Sequence, residues 1–234
     1  VVIVGSLLAF TASSLKPNIA ENERMEKQQN ILYAMGVNEN GPTDIVFVGT
    51  DKVAAEFSKY ISKQLIINPD GTAEESARAF KINVKKEQAK AKNGGNRALP
   101  LFIGEREGQS YYIIPIRGKG LWDAIWGYVA LDEDMVVQGA FFDHAAETPG
   151  LGANIKQRYF MDDFIGEKLL SSTGDFKGIT VAKGNNDPKN LIKDDYEVDA
   201  LAGATITGDG VSAMIKSDLK LYLPYFQNLK NQLN

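Results

Sequence analysis

The stretch Ser110-Tyr111-Tyr112-Ile113-Ile114-Pro115-Ile116-Arg117 decides the fold class. Aromatic and β-branched side chains crowd it, and these fit a pleated, half-buried surface better than a helix. Strand-like runs lie on both sides: residues 99–104 before it, then 126–132 and 135–143 after it. The last two are joined by Asp132-Glu-Asp-Met135, which reads as a hairpin turn.

Working outward, residues 157–170 read as a helix, 178–183 as a strand and 184–197 as a polar loop. An amphipathic helix over 211–223 stops before Pro224, and a last short helix closes the chain. Upstream, residues 17–35 read as a polar helix, 38–43 as a turn, 44–49 as a strand and 51–64 as a helix. Residues 68–98 form a polar excursion with a helical centre near 72–80. Clustered strands with flanking helices predict an α+β domain, a mixed or antiparallel sheet covered by helices. No internal repeat is visible.

Composition narrows the function. The chain has 234 residues, 44% apolar and 24% charged, enough for a real core in one domain or two small ones. The net charge of −4 comes without a basic block, so nucleic acid is not an expected partner. With no cysteine, thiolate metal and iron–sulfur sites within the chain are excluded, and the single histidine, His144, rules out a multi-histidine metal site. No Gly-x-Gly-x-x-Gly follows a first strand, so Rossmann-type dinucleotide binding is unsupported.

Residues 1–15 carry no charge and as a helix would span roughly 22 Å, against the ~20 residues of a full membrane span. They read as part of a membrane helix that begins outside this sequence, as the apolar region of a secretory signal, or as a buried helix of a soluble protein. Glu21, Glu23, Arg24, Glu26 and Lys27 follow, then apolar Ile31, Leu32 and Met35. That order suits a stalk that docks on the domain at its end. The organisation expected is an anchor over 1–15, a stalk over 16–36 and an α+β domain over 37–234.

The most informative chemistry lies in Asp199-Ala-Leu-Ala-Gly-Ala-Thr205-Ile-Thr207-Gly-Asp-Gly-Val211. Small residues allow a ligand close to the backbone. The free amides at a helix start suit a phosphate, and two hydroxyls, Thr205 and Thr207, stand beside it. The residues alone admit two readings: a phosphate site, or an ordinary helix start capped by Thr207 or Asp209.

Asp199-Ala-Leu-Ala-Gly-Ala-Thr-Ile-Thr207 resembles the flavinylation motif of the covalent FMN-binding domain family. Two further segments match: Gly118-Lys-Gly-Leu-Trp122, and Glu147-Thr-Pro-Gly-Leu-Gly152 preceded by His144. With the apolar N-terminal segment and the chain length, the whole is similar to the C-subunit family of sodium-translocating NADH:quinone oxidoreductases. One departure is Ala202, where that family usually has Ser or Thr, which removes a possible hydroxyl contact.

The resemblance implies FMN esterified through its phosphate to Thr205 in an electron-transfer subunit that is not active alone. It also implies neighbouring membrane subunits, a separate flavin transferase, one retained N-terminal membrane helix, and a domain on the extracytoplasmic (periplasmic) side of the bacterial inner membrane. A related alternative is the G-subunit of the Rnf ferredoxin:NAD oxidoreductase complex. From a different class, an extracytoplasmic binding or assembly module would use the same glycine turns only structurally. An unaided threonine is a poor nucleophile and no Ser-His-Asp set is present, which agrees with attachment by another enzyme.

The expected cofactor contacts are Thr205 (covalent), Gly203, Ala204, Thr207, Glu147, Thr148, Gly150, Leu151, Gly152, Gly120, Leu121, Trp122 and Lys119. No catalytic residue and no metal ligand is expected. Each contact has a plainer reading. Trp122 could close the core at a strand end, Glu147 and Thr148 could form a turn, Lys119 could be solvated, and His144 could be a structural hydrogen-bonder. Leu151, a lone apolar side chain between glycines, is the more specific candidate for a ligand face.

Overall fold

The computed structural model describes residues 2–42, 44–185 and 187–233. Val1, Thr43, Asn186 and Asn234, which fall in segments named above (1–15, 38–43, 184–197 and 37–234), lie outside the described residues.

The centre is a six-stranded antiparallel sheet. Its strands are β1 (Ile61–Ile67), β2 (Ala73–Glu75), β3 (Leu99–Arg106), β4 (Gln109–Lys119), β5 (Ala124–Leu131) and β6 (Val137–His144), in the spatial order β2-β1-β3-β4-β5-β6. A small parallel pair, β7 (Thr180–Val181) and β8 (Glu197–Val198), lies apart from it. The helices are α1 (Val2–Ala34), α2 (Val53–Tyr60), α3 (Val84–Lys92), α4 (Arg158–Asp163), α5 (Thr205–Leu219) and α6 (Leu223–Leu233). The α+β class with an antiparallel sheet is as the sequence indicates.

Strand alternation gives the sheet two faces. On one, Phe141 meets Tyr33 of α1 and Phe47, while Phe102 meets Phe80. On the other, Phe142 packs with Phe160 and Phe164, and Tyr112 packs with Phe226 of α6. Those that are fully buried, Phe102, Phe142, Phe164 and Phe226, each contribute about 2–3 kcal/mol by leaving water. On this second face α5 crosses β4 closely, because a side chain at Gly118 would meet the Met214 Cβ at 2.8 Å and one at Gly210 would strike the Lys119 carbonyl.

Several elements differ from the sequence reading. Residues 51–64 are not one helix: α2 ends at Tyr60 and β1 begins at once. Val53, Phe57, Ile61 and Leu65 recur every fourth position, a spacing that serves a helix face and also keeps one face of a strand. Residues 44–49 pair with no strand. Phe47 packs on Tyr33, and the Val48 carbonyl accepts from the Gln29 side chain. Residues 72–80 hold β2 and part of a 3-10 turn, Ala77–Lys81, in place of the expected helical centre.

The helix expected over 157–170 is only α4, because Gly166 at φ +87° turns the chain back. The strand expected over 178–183 shrinks to the two residues of β7. The helix expected from 211 starts six residues earlier and ends at Leu219, and Pro224 sits in the first turn of α6, where its missing N–H does no harm.

At the N-terminus the two expected helical segments are one. Helix α1 runs unbroken through Pro17. Residues 2–23 are exposed, whereas Gln28 and residues 30–35 are buried in the core. Among the described residues α1 is the one helix long and apolar enough to cross a membrane. The Thr11 and Ser14 hydroxyls bond back to the Leu7 and Phe10 carbonyls, which satisfies those two polar side chains within the helix itself.

Candidate cofactor site

Helix α5 opens on the flavin-like motif itself. Thr205 is its first residue, Ala204 precedes it, and no side chain caps the start. The capping reading therefore fails for both candidates, since Thr207 and Asp209 lie inside the helix. Glycine within a helix costs about 1 kcal/mol against alanine. Here Gly208 and Gly210 are sites of close approach, to Val181 and to the end of β4.

A cleft of about 280 Å³ lies over this helix start, lined by Leu121, Glu147, Thr148, Leu151, Gly152 and residues 203–207. All three motif segments reach it. Thr205 is exposed, and no side-chain hydrogen bond engages its hydroxyl. Thr207 is the opposite: 1% exposed, with its hydroxyl donating to Glu147 Oε2 at 2.6 Å.

Glu147 ties the segments together. Its carboxylate is 4% exposed, and Oε1 accepts from the Trp122 amide at 2.9 Å. Its own amide donates to His144 Nδ1 at 3.1 Å. Burial pushes this carboxyl up, but the Thr207 hydroxyl and the amides of Trp122, Asp123 and Leu121 outweigh that and hold it below the usual range. A side chain at Gly120 would meet Glu147 Oε1 at 2.5 Å, and one at Gly152 would run into both Glu147 and the Thr207 hydroxyl, at 2.6 Å from the latter. The glycines thus let a buried carboxylate fasten the turn after β4 to α5.

The remaining expected contacts divide. Leu151 is 41% exposed on the cleft wall, and a side chain at Gly203, which has φ +68°, would press on it at 2.8 Å. Trp122 is 65% exposed and outside the lining, but its indole N–H donates to Thr148 Oγ1 at 3.2 Å, which sets it at the rim. Gly150, at φ +77°, shapes the turn without lining the cleft. Gly120 and Lys119 do not line it either, and the Lys119 side chain is exposed. Asp199 lies beyond the lining. Its amide donates to Asp163 Oδ2 at 2.9 Å, and desolvation, with Asp163 and Asp187, raises its carboxyl.

One lining residue escaped the sequence reading. Ile206 is 58% exposed in the first turn of α5. An apolar side chain between two threonines at a helix start was the available signal.

These features suit FMN. An uncapped helix start offers free amides to a phosphate, a free hydroxyl stands on its first residue, and apolar Leu151, Leu121 and Ile206 surround the space where a flat ring would lie. No basic side chain lines the cleft.

Residues 120–220 match the model of the FMN-binding domain family. Over 225 residues the chain is 30% identical to the C-subunit of the Na(+)-translocating NADH-quinone reductase of Pseudomonas aeruginosa, spanning 89% of this chain and 83% of that protein. The chain belongs to this C-subunit family. Two solved structures agree. The C-subunit of the Parabacteroides distasonis reductase superposes with a TM-score of 0.76 at 30% identity, over 91% of this chain and 96% of that one. NqrC of Shewanella oneidensis gives 0.65 at 26% identity, over 91% and 98%. The C-subunit family is one of oxidoreductase components, and in this member the FMN-binding domain match runs from the turn before β5 through α5.

Proposed function

We propose that this subunit holds FMN as a phosphoester on Thr205 and relays electrons between neighbouring subunits of a membrane complex that oxidises NADH, reduces quinone and exports sodium. The observation that carries the attachment site is the contrast between two hydroxyls two residues apart. Thr205 is exposed at the uncapped helix start, while Thr207 is buried and already donating to Glu147. The free amides of the first turn of α5 would hold the phosphate, Leu151 and Ile206 would lie against the ring, and Trp122 with Thr148 would form the rim. FMN supplies the electron-carrying chemistry, and the protein supplies position.

A covalent phosphate link explains a cleft without cations, because attachment replaces binding affinity. A separate flavin transferase would form the ester, since the one carboxylate lining the cleft, Glu147, is already taken up by the Thr207 hydroxyl and the Trp122 amide. The exposed apolar part of α1 would anchor the chain in the bacterial inner membrane and its charged continuation would serve as the stalk. The sheet domain, from about residue 37, would then stand on the extracytoplasmic side.

The test is intact-mass measurement after denaturation, followed by peptide mapping, on the chain produced with a flavin transferase. One FMN adduct on Thr205 is expected. An adduct on Thr207, or flavin released by acid precipitation, sinks the assignment. Topology is read separately with a reporter fused after the C-terminus, which should be active only outside the cytoplasm.

A further inference from the structure

We infer that the sheet face opposite the flavin cleft carries a second ligand site, for a small organic phosphate or carboxylate with a planar body. A cavity of about 320 Å³ opens there between α1, the start of α3 and the ends of β4 and β5. Three cations line it: Lys27 of α1, Lys85 of α3 and Arg117 of β4. Among the described residues none of the three has an ion-pair partner.

Lys27 is the most telling. It is half-buried, its ammonium lies 4.8 Å from the centre of the Phe80 ring and 5.8 Å from that of Phe102, and its one hydrogen-bond acceptor is the Phe80 carbonyl. A cation drawn out of water without a carboxylate is poorly compensated, and an incoming anion would correct that. The acidic groups nearby are committed elsewhere. Asp218 accepts from the Arg117 amide but pairs with Arg97, and Glu87 pairs with Lys90. Glu26 lines a neighbouring cavity, together with Asp143 and Lys156.

The cavity is larger than a bare phosphate needs, and its walls say what the rest of the ligand is. Trp126 stands directly across from Arg117 in the β4–β5 ladder, with Tyr128 across from Pro115. Indole and guanidinium side by side offer a stacking surface next to an anion fork.

The test uses the full chain in detergent with its flavin attached, so that the front cleft is filled. AMP and inorganic phosphate are titrated by calorimetry, with tryptophan fluorescence recorded in parallel. AMP should bind in the sub-millimolar range and change the fluorescence, and phosphate should compete more weakly. R117Q and K85Q should each weaken AMP about tenfold, the loss of one charge-assisted contact. K156Q, in the neighbouring cavity, should leave the affinity unchanged. W126L should weaken AMP but not phosphate. Lys85 is exposed, so K85Q tests the site even if R117Q fails to fold. No heat at millimolar AMP and phosphate, or wild-type affinity in K85Q, overturns the inference.

Discussion

The two pockets at the β4–β5 end of the sheet are of similar size and opposite design. The front cleft holds about 280 Å³ and has glycines, three threonines and a fully used carboxylate, with no cation. The back cavity holds about 320 Å³ and has three unpaired cations and two large aromatic rings. A pocket that keeps its ligand by a bond needs shape and a free hydroxyl. A pocket that exchanges its ligand needs charge. On the two proposals above, the contrast would separate a site built for permanence from one built for equilibrium.

The largest expected effect breaks the front site alone. T205V should carry no flavin when produced beside the transferase, while its thermal unfolding stays close to that of the unmodified parent. T207V should keep the flavin but lose about 1–2 kcal/mol of stability, because Glu147 Oε2 is left without its buried donor. Flavin content by absorbance after denaturation reads both, and a flavin-free T207V would reverse the assignment of the two hydroxyls.

Next comes the joint between the faces. Asp218 is 1% exposed and accepts from Arg97 at 2.8 Å and from the Arg117 amide at 2.9 Å, which binds α5, whose start lines the front cleft, to the strand that lines the back cavity. D218A strands a buried guanidinium and should cost about 3–5 kcal/mol, measurable by urea unfolding. A change under 1 kcal/mol, the range of an exposed pair, would mean the pair is a surface contact in effect.

Glu147 should have a smaller and more selective effect. E147A frees the turn after β4 from α5 and should reduce flavin loading, whereas E147Q keeps an acceptor for the Trp122 amide and should restore most of it. If E147Q loads as poorly as E147A, the negative charge itself matters and the fastening account is incomplete.

The last effect appears only as pH is varied. Glu167 is fully buried, its nearest cation is Lys193 at 3.4 Å, and burial pushes its carboxyl up to about 7, with Asn190 and Lys193 offsetting this only in part. An acid whose folded pKa is raised binds its proton more tightly when folded. Its contribution is therefore most favourable below the unfolded value of about 4.5 and declines as pH rises through about 7. Wild type should lose stability relative to E167Q across that window, by no more than ~3 kcal/mol. Parallel stability profiles at all pH values would show that folding leaves the Glu167 carboxyl unshifted.

Much of this was legible in the sequence because the signals were redundant. The strands from 99 to 143 combine composition, alternation and a turn at Asp132, and three motifs far apart in the chain meet at one cleft. What was misread had a pattern serving two purposes. The four-residue spacing through Ile61 and Leu65 fits a helix and a strand equally well. Gly208 and Gly210 look like a turn until their tight neighbours are known. Glu147 is expected beside the ligand and does line the cleft, but its fastening of two segments is visible only from its partners. Lys27 belonged to a charged helix face by composition, yet it points at Phe80 and Phe102, which only the fold brings near. The stalk boundary shifts for the same reason. Since Lys27, Gln28 and Gln29 are held by the domain, a cut to release it belongs near residue 23.

The unbroken course of α1 from its exposed apolar half into the core has a rotational consequence. A rigid helix transmits angle as well as length, so each residue between the two halves sets the azimuth of the flavin cleft about the helix axis. One residue inserted near position 21 would turn the domain by about 100° and lift it by roughly 1.5 Å. Seven inserted residues would lift it by roughly 10 Å yet return it to within about 20° of its original heading. Electron delivery that fails with one added residue and recovers with seven would mean that the neighbouring subunits require a compass direction more than a height.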